Sequence, residues 1–135
     1  MSKKAVILVV EDEALIRIGA IQMLEDAGFE TVEASNADDA MSILELRNDI
    51  RAVFTDIDMP GTLDGMRLAR AVRGRWPPIH LIVTSGLISP NEKDLPPGGR
   101  FIRKPYDLAQ VIATIRDLLG QFPPSDPIEQ ARRAA

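Results

Sequence analysis

Apolar and polar positions along the chain fall into blocks whose period switches between strand and helix. Residues 5–10 are an unbroken apolar run, Ala-Val-Ile-Leu-Val-Val, as expected for a strand buried on both faces of a parallel sheet. Ile16, Ala20, Met23, Leu24 and Ala27 then recur at helical spacing, so a helix is expected over about 14–27, with Gly28 as its stop. A short strand over 31–34 leads to Ser35 and Asn36, either of which suits the cap of a second helix running to about 47. Residues 52–55 read as the third strand, and Asp64-Gly65 opens a helix ending near Gly74. Residues 79–84 and 101–103 read as two further strands. Leu108, Val111, Ile112, Ile115, Leu118 and Leu119 then trace one face of a last helix over 108–119. Five strands alternating with helices predict an α/β fold, a doubly wound parallel sheet in three layers.

Polar residues stand where the apolar runs stop. Glu11 and Asp12 follow the first run, Asp56 the third, Ser85 and Gly86 the fourth, and Lys104-Pro105 the fifth. The carboxyl ends of parallel strands converge on one crevice, so these residues are expected to meet. Several carboxylates to hold a divalent cation, a hydroxyl and a fixed ammonium suit phosphoryl transfer onto a carboxylate.

Bulk properties narrow the field. At 135 residues the chain fits one domain, and with 45% apolar and 27% charged residues it has a globular composition. A formal charge of −4 argues against a dedicated nucleic-acid binder. Arg67, Arg70, Arg73 and Arg75 recur on one helical segment, and a solvated helix face accounts for them. Without cysteine there is neither a disulfide framework nor a thiolate metal site. The first apolar run is too short for a signal-peptide core or a membrane span, so a cytoplasmic protein without a membrane contact is expected. Three prolines lie in the five residues 123–127, so residues 121–135 are expected to form a mobile tail after a domain over 1–120.

Val10-Glu11-Asp12-Glu13, Phe54-Thr-Asp56-Ile-Asp58-Met59-Pro60-Gly61, Asp64-Gly65, Thr84-Ser85-Gly86 and Lys104-Pro105-Tyr106, in this order, resemble the receiver domain of bacterial two-component response regulators. The resemblance covers about residues 4–120. It implies the flavodoxin-like strand order 2-1-3-4-5. It also implies that Asp56 accepts a phosphoryl group from a histidine kinase or a histidine phosphotransfer protein. Glu11 and Asp12 would hold Mg²⁺ together with Asp56, Asp12 as the direct ligand, and the backbone carbonyl of Asp58 would add a further ligand. Lys104 would pair with a phosphoryl oxygen. Thr84 and Ser85 are adjacent and point to opposite faces, and the family places its hydroxyl just before a small residue, which selects Ser85 over Thr84. Phe101 falls at the aromatic switch position, where a plain core ring is the competing reading. The resemblance points to a non-enzymatic regulator that acts by phosphorylation-dependent binding of a downstream protein, by relay, or as a phosphate sink.

Two features depart from the family pattern. Thr62 and Leu63 separate Pro60-Gly61 from Asp64-Gly65 where one residue is usual. Ser85 and Lys104 are 19 positions apart, fewer than usual, and residues 87–99 include Pro90, Pro96, Pro97, Gly98 and Gly99. A short, irregular or missing fourth helix, and with it a modified output face, is therefore expected between the last two strands. Both departures resemble stand-alone receivers of alphaproteobacteria. Two other readings use the same residues. Asp56-Ile-Asp58 is similar to the Asp-x-Asp of haloacid-dehalogenase-type phosphatases, but Glu11 and Asp12 would then be unexplained. A receiver-fold interaction module that is never phosphorylated would not need every chemical position filled.

Overall fold

The computed structural model describes residues 4–58, 65–86, 95–96 and 98–120. Its elements run β1 (Val6–Val10), α1 (Ala14–Asp26), β2 (Glu30–Ala34), α2 (Ala37–Leu46), β3 (Ile50–Asp56), α3 (Gly65–Arg75), β4 (His80–Ser85), β5 (Arg100–Arg103) and α4 (Leu108–Leu119). The strands form one parallel sheet in the order β2-β1-β3-β4-β5, as expected. Chain direction across the sheet reverses between β1 and β3, which puts the ligand crevice of such a sheet beyond their carboxyl ends.

Strand alternation sorts the core into two layers. Leu8, Val10, Val53, Leu81 and Val83 face Ala40 and Leu44 of α2 and Leu68 and Val72 of α3. Ile7, Val9, Ala52, Phe54, Ile82 and Ile102 face Ala20 and Leu24 of α1 and Val111 and Ile115 of α4. Every residue of β1 and β4 is buried, which is why β1 reads as an unbroken apolar run, whereas β4 also buries the polar His80, Thr84 and Ser85. Phe101 is half-buried and joins the layer under α2 and α3.

Local chemistry sets the ends. Asn36 caps α2, its side chain accepting from the Asp39 N–H at 2.7 Å, which decides between the two candidate caps. Gly28 closes α1 at φ +99°, a conformation that other residues rarely adopt. β3 starts two residues earlier than its apolar run. Ile50 already pairs with Val6, and the register shifts between Val6 and Ile7, leaving the exposed Arg51 to break the apolar pattern.

Two of the α3 arginines are engaged by neighbours. Arg75 pairs with Glu45 at 3.1 Å and lies 4.5 Å over the Trp76 ring, while Arg73 donates to the Pro77 carbonyl at 2.7 Å. The lengthened segment Pro60–Asp64, residues 87–94 and 97 of the segment 87–99 where a short, irregular or missing helix is expected, and the expected tail over 121–135 lie outside the described residues.

Candidate functional site

Four strand ends, those of β1, β3, β4 and β5, supply the site, and the sheet's own hydrogen bonds continue into it. Glu11 donates its N–H to the Ala34 carbonyl at 3.1 Å, Ile57 to Thr84 at 3.0 Å, and Lys104 to Ser85 at 3.0 Å. These bonds hold Glu11, Asp56, Ser85 and Lys104 side by side at the carboxyl ends of the strands. Arg17, one turn into α1, ties Glu11 further. Its Nη1 donates to the Glu11 carbonyl at 2.9 Å while its Nε pairs with Glu33 at 3.0 Å.

Asp56 is buried, and both of its carboxylate oxygens have donors. Oδ1 accepts from the Asp58 N–H at 2.9 Å and Oδ2 from Lys104 Nζ at 2.8 Å. Each oxygen still carries a second lone-pair site for a reaction. Lys104 Nζ also donates to Glu11 Oε1 at 2.6 Å, so one ammonium bridges two buried carboxylates. Burial works against that ammonium, yet its hydrogen bonds to Asp56 and Glu11 and their charges outweigh burial and hold it protonated above the ordinary lysine range. Burial pushes the Glu11 carboxyl up, while Lys104 and the Glu13 N–H pull it back, and Asp12 and Asp56 add to the rise.

Glu11, Asp12 and Asp56 each offer an oxygen within 4.8 Å of the others, with Asp12 exposed and the other two buried. Three hard carboxylate donors beside an open approach fit a Mg²⁺ ion, which commonly takes one or two carboxylates and keeps several waters. The Asp58 carboxylate lies elsewhere. Its Oδ2 accepts from Ser85 Oγ at 2.7 Å and from the Gly86 N–H at 3.1 Å. Thr84 is also buried, and among the described residues its hydroxyl has no hydrogen-bond partner.

Gly65 positions α3 against the site. A Cβ built there would stand 2.3 Å from the Asp56 carbonyl oxygen and 2.4 Å from Ile57 Cα, so only glycine admits this approach. Tyr106 covers the α1 and α4 side, its ring centroid 5.4 Å from that of Phe54. Beside Lys104 and Gly86 opens an apolar groove of about 600 Å³ lined by Leu15, Ile16, Gly19, Pro105, Tyr106 and Leu108. Leu15, at 86% exposure, and Leu108, at 53%, stand open to solvent at its rim.

Arg17, Gly65 and the Asp58 carboxylate are site parts that sequence reasoning missed or gave another role. An Asp-Gly opening a helix marked Gly65 as a helix start, whereas the spacing of Arg17 and Asp58 carries no comparable signal. Among the described residues no helix is long and apolar enough to cross a membrane.

Comparison with known proteins agrees with this geometry. The chain is 32% identical over 123 residues to the sensor kinase CckA of Brucella abortus, a match covering 88% of the chain and 13% of that kinase. It thus spans a small part of that relative, and less than two thirds of the next curated relatives it matches. A response regulator receiver protein from Sinorhizobium medicae superposes with a TM-score of 0.82 at 28% identity, covering 87% of this chain and 96% of the other. The receiver domain of the hybrid histidine kinase CckA superposes with a TM-score of 0.71 at 30% identity, covering 84% and 98%. The description "response regulator receiver domain" matches residues 7–116, and with the fold and the strand-end acids in place the chain belongs to that family.

Proposed function

We propose that Asp56 accepts a phosphoryl group from the phosphohistidine of a sensor histidine kinase or a histidine phosphotransfer protein, and that the phosphorylated domain signals through protein contacts. One observation carries the reading. The Asp56 carboxylate is fixed by Lys104 and the Asp58 N–H with the oxygens of Glu11 and Asp12 close by. In the transfer, a carboxylate oxygen of Asp56 bonds to phosphorus, and the phosphorus–nitrogen bond to the donor imidazole breaks. The bonding pair returns to that nitrogen, which takes up a proton. Glu11, Asp12, Asp56 and the Asp58 carbonyl would hold Mg²⁺, whose charge would offset that of the phosphoryl oxygens. Lys104 supplies a fixed ammonium on the same side, already within hydrogen-bond distance of the acceptor oxygen.

The domain is in this reading a phosphoprotein substrate and switch rather than a turnover enzyme. A phosphatase would ask the Asp58 carboxylate to serve as general acid beside the nucleophile, and that carboxylate is instead engaged by Ser85 and Gly86. The open groove with Leu15 and Leu108 at its rim, contiguous with Lys104, suits a protein donor that must bring its imidazole to Asp56. From there the signal passes to a downstream protein, onward along a relay, or is drained as a phosphate sink. Neither nucleic acid nor a membrane is a partner in this scheme, and the cytoplasm is the compartment it implies.

Intact-protein mass after incubation with Mg²⁺ and acetyl phosphate tests the proposal. The wild type is expected to gain the mass of one phosphoryl group, labile to base, and Asp56→Asn to gain none. Equal labelling of Asp56→Asn would sink the assignment.

A further inference from the structure

We propose that the Asp58 side chain is a latch, a positioning residue that holds Ser85 in the unphosphorylated arrangement by competing with the phosphoryl group for the Ser85 hydroxyl proton. The inference rests on the reading of Asp56 as phosphoacceptor. Asp58 Oδ2 accepts from Ser85 Oγ at 2.7 Å and from the Gly86 N–H at 3.1 Å, so one oxygen ties the end of β4 to the chain just after β3. Ser85 is fully buried, and its hydroxyl has a single proton to donate. While that proton lies on an ionised carboxylate, in a charge-assisted bond, it is not available to a group on Asp56.

The latch and the phosphoacceptor belong to one hydrogen-bonded chain. The Asp58 N–H donates to Asp56 Oδ1 at 2.9 Å, and the Asp58 carboxylate receives the Ser85 hydroxyl. Phosphorylation replaces the single negative charge of the Asp56 carboxylate with a group of about −1.5 to −2 charges and three acceptor oxygens, two residues from Asp58. It therefore disfavours the neighbouring carboxylate and offers the Ser85 hydroxyl another acceptor at the same time. Release of Ser85 also frees the Gly86 N–H, so the start of the segment after β4 is released together with the hydroxyl. A ligand can shift two arrangements only by its differential affinity for them, and the latch sets how much of that affinity is spent before the switch turns. Aspartate two residues after the phosphoacceptor thus acts as a threshold, holding the domain off at low phosphorylation.

A double-mutant cycle on the full chain tests this, reading the affinity for beryllofluoride in the presence of Mg²⁺ by calorimetry in wild type, Asp58→Ala, Ser85→Ala and the double variant. Asp58→Ala removes a like charge in both backgrounds but removes the competition only where Ser85 is present. The latch predicts that Asp58→Ala tightens beryllofluoride binding about tenfold more in the wild-type background than in Ser85→Ala, as expected for one hydrogen bond to a charged group. Asp58→Asn, which keeps an acceptor oxygen without the charge, is expected to fall between wild type and Asp58→Ala, and it stands in should the alanine variant fold poorly. Equal factors in the two backgrounds would reduce Asp58 to a bystander charge and overturn the latch alone. Absence of any beryllofluoride binding by the wild type would overturn the phosphoacceptor reading and the latch with it.

Discussion

Replacing Lys104 with methionine keeps the aliphatic stem and removes the ammonium that bridges Glu11 and Asp56 at 2.6 and 2.8 Å. The two carboxylates it would abandon are only 5% and 3% exposed, so water cannot take over its role. Deleting one member of a buried ion pair costs about 3–5 kcal/mol. Lys104 is itself 18% exposed, which places the expected loss near the lower bound, about 3 kcal/mol in the absence of a divalent cation. For a domain of this size that corresponds to about 10 °C in Tm. Burial already pushes the Glu11 carboxyl up, so Glu11 is the group expected to take up a proton in the variant. Mg²⁺ supplies positive charge to the same acids, and with it the penalty is expected to shrink to about 1 kcal/mol. The variant should therefore bind Mg²⁺ at least about tenfold more tightly than wild type, a factor of ten being about 1.4 kcal/mol. Urea unfolding of both proteins, in chelator and in saturating Mg²⁺, reads both quantities. A penalty of the same size in the two conditions, or equal Mg²⁺ affinities, would refute the idea that ammonium and cation compete for these carboxylates.

Gly65→Ala places a methyl group against the Asp56 carbonyl oxygen and Ile57 Cα, and since both obstacles are backbone no rotamer relieves the clash. A stability loss of about 2 kcal/mol and slower phosphorylation by acetyl phosphate are expected, whereas unchanged urea midpoint and rate would mean that α3 does not press on the site. His80, the sole histidine, is buried, its Nδ1 has no partner among the described residues, and burial holds its pKa below the ordinary 6.5, with Arg51, Arg73 and Arg100 acting in the same direction. As pH falls below that ordinary value the unfolded chain takes up a proton that the folded one excludes, so stability falls, by at most about 1.4 kcal/mol per pH unit. His80→Leu should flatten the stability profile between about pH 6.5 and 5.5 relative to wild type; parallel profiles would show that the ring is protonated as readily in the folded state.

The sequence carried the frame of the site better than its wiring. β1 is buried on both faces, so its apolar run left no ambiguity, and the acids and the lysine marked where β1, β3 and β5 reach the crevice. α4 was legible to the residue because six apolar positions trace one face. β3 was legible only in its middle, since Arg51 interrupts the pattern at the start and Asp56 itself ends the strand. The hydrogen bonds that decide what each polar group does were not legible. Asp58 reaches Ser85 across 27 positions, and Lys104 reaches Asp56 across 48 and Glu11 across 93. The direction of a side chain just beyond a strand depends on local backbone dihedrals, which residue type and spacing leave open. The family resemblance gave Asp58 a role only through its backbone carbonyl, and its carboxylate proves to be engaged with the hydroxyl of Ser85 at the end of β4. Gly65 signalled a helix start, but only the packing of α3 on the Asp56–Ile57 backbone shows why a side chain is excluded there.

The account rests most heavily on the identity of the acceptor, and chemical trapping addresses it directly. Borohydride reduces an aspartyl phosphate to homoserine, so the protein phosphorylated in Mg²⁺ is reduced, digested and sequenced by tandem mass spectrometry. The account predicts homoserine at position 56 and unmodified aspartate at positions 12 and 58. Homoserine at position 12 or 58, or a protein that carries phosphate without any reducible aspartate, would contradict it.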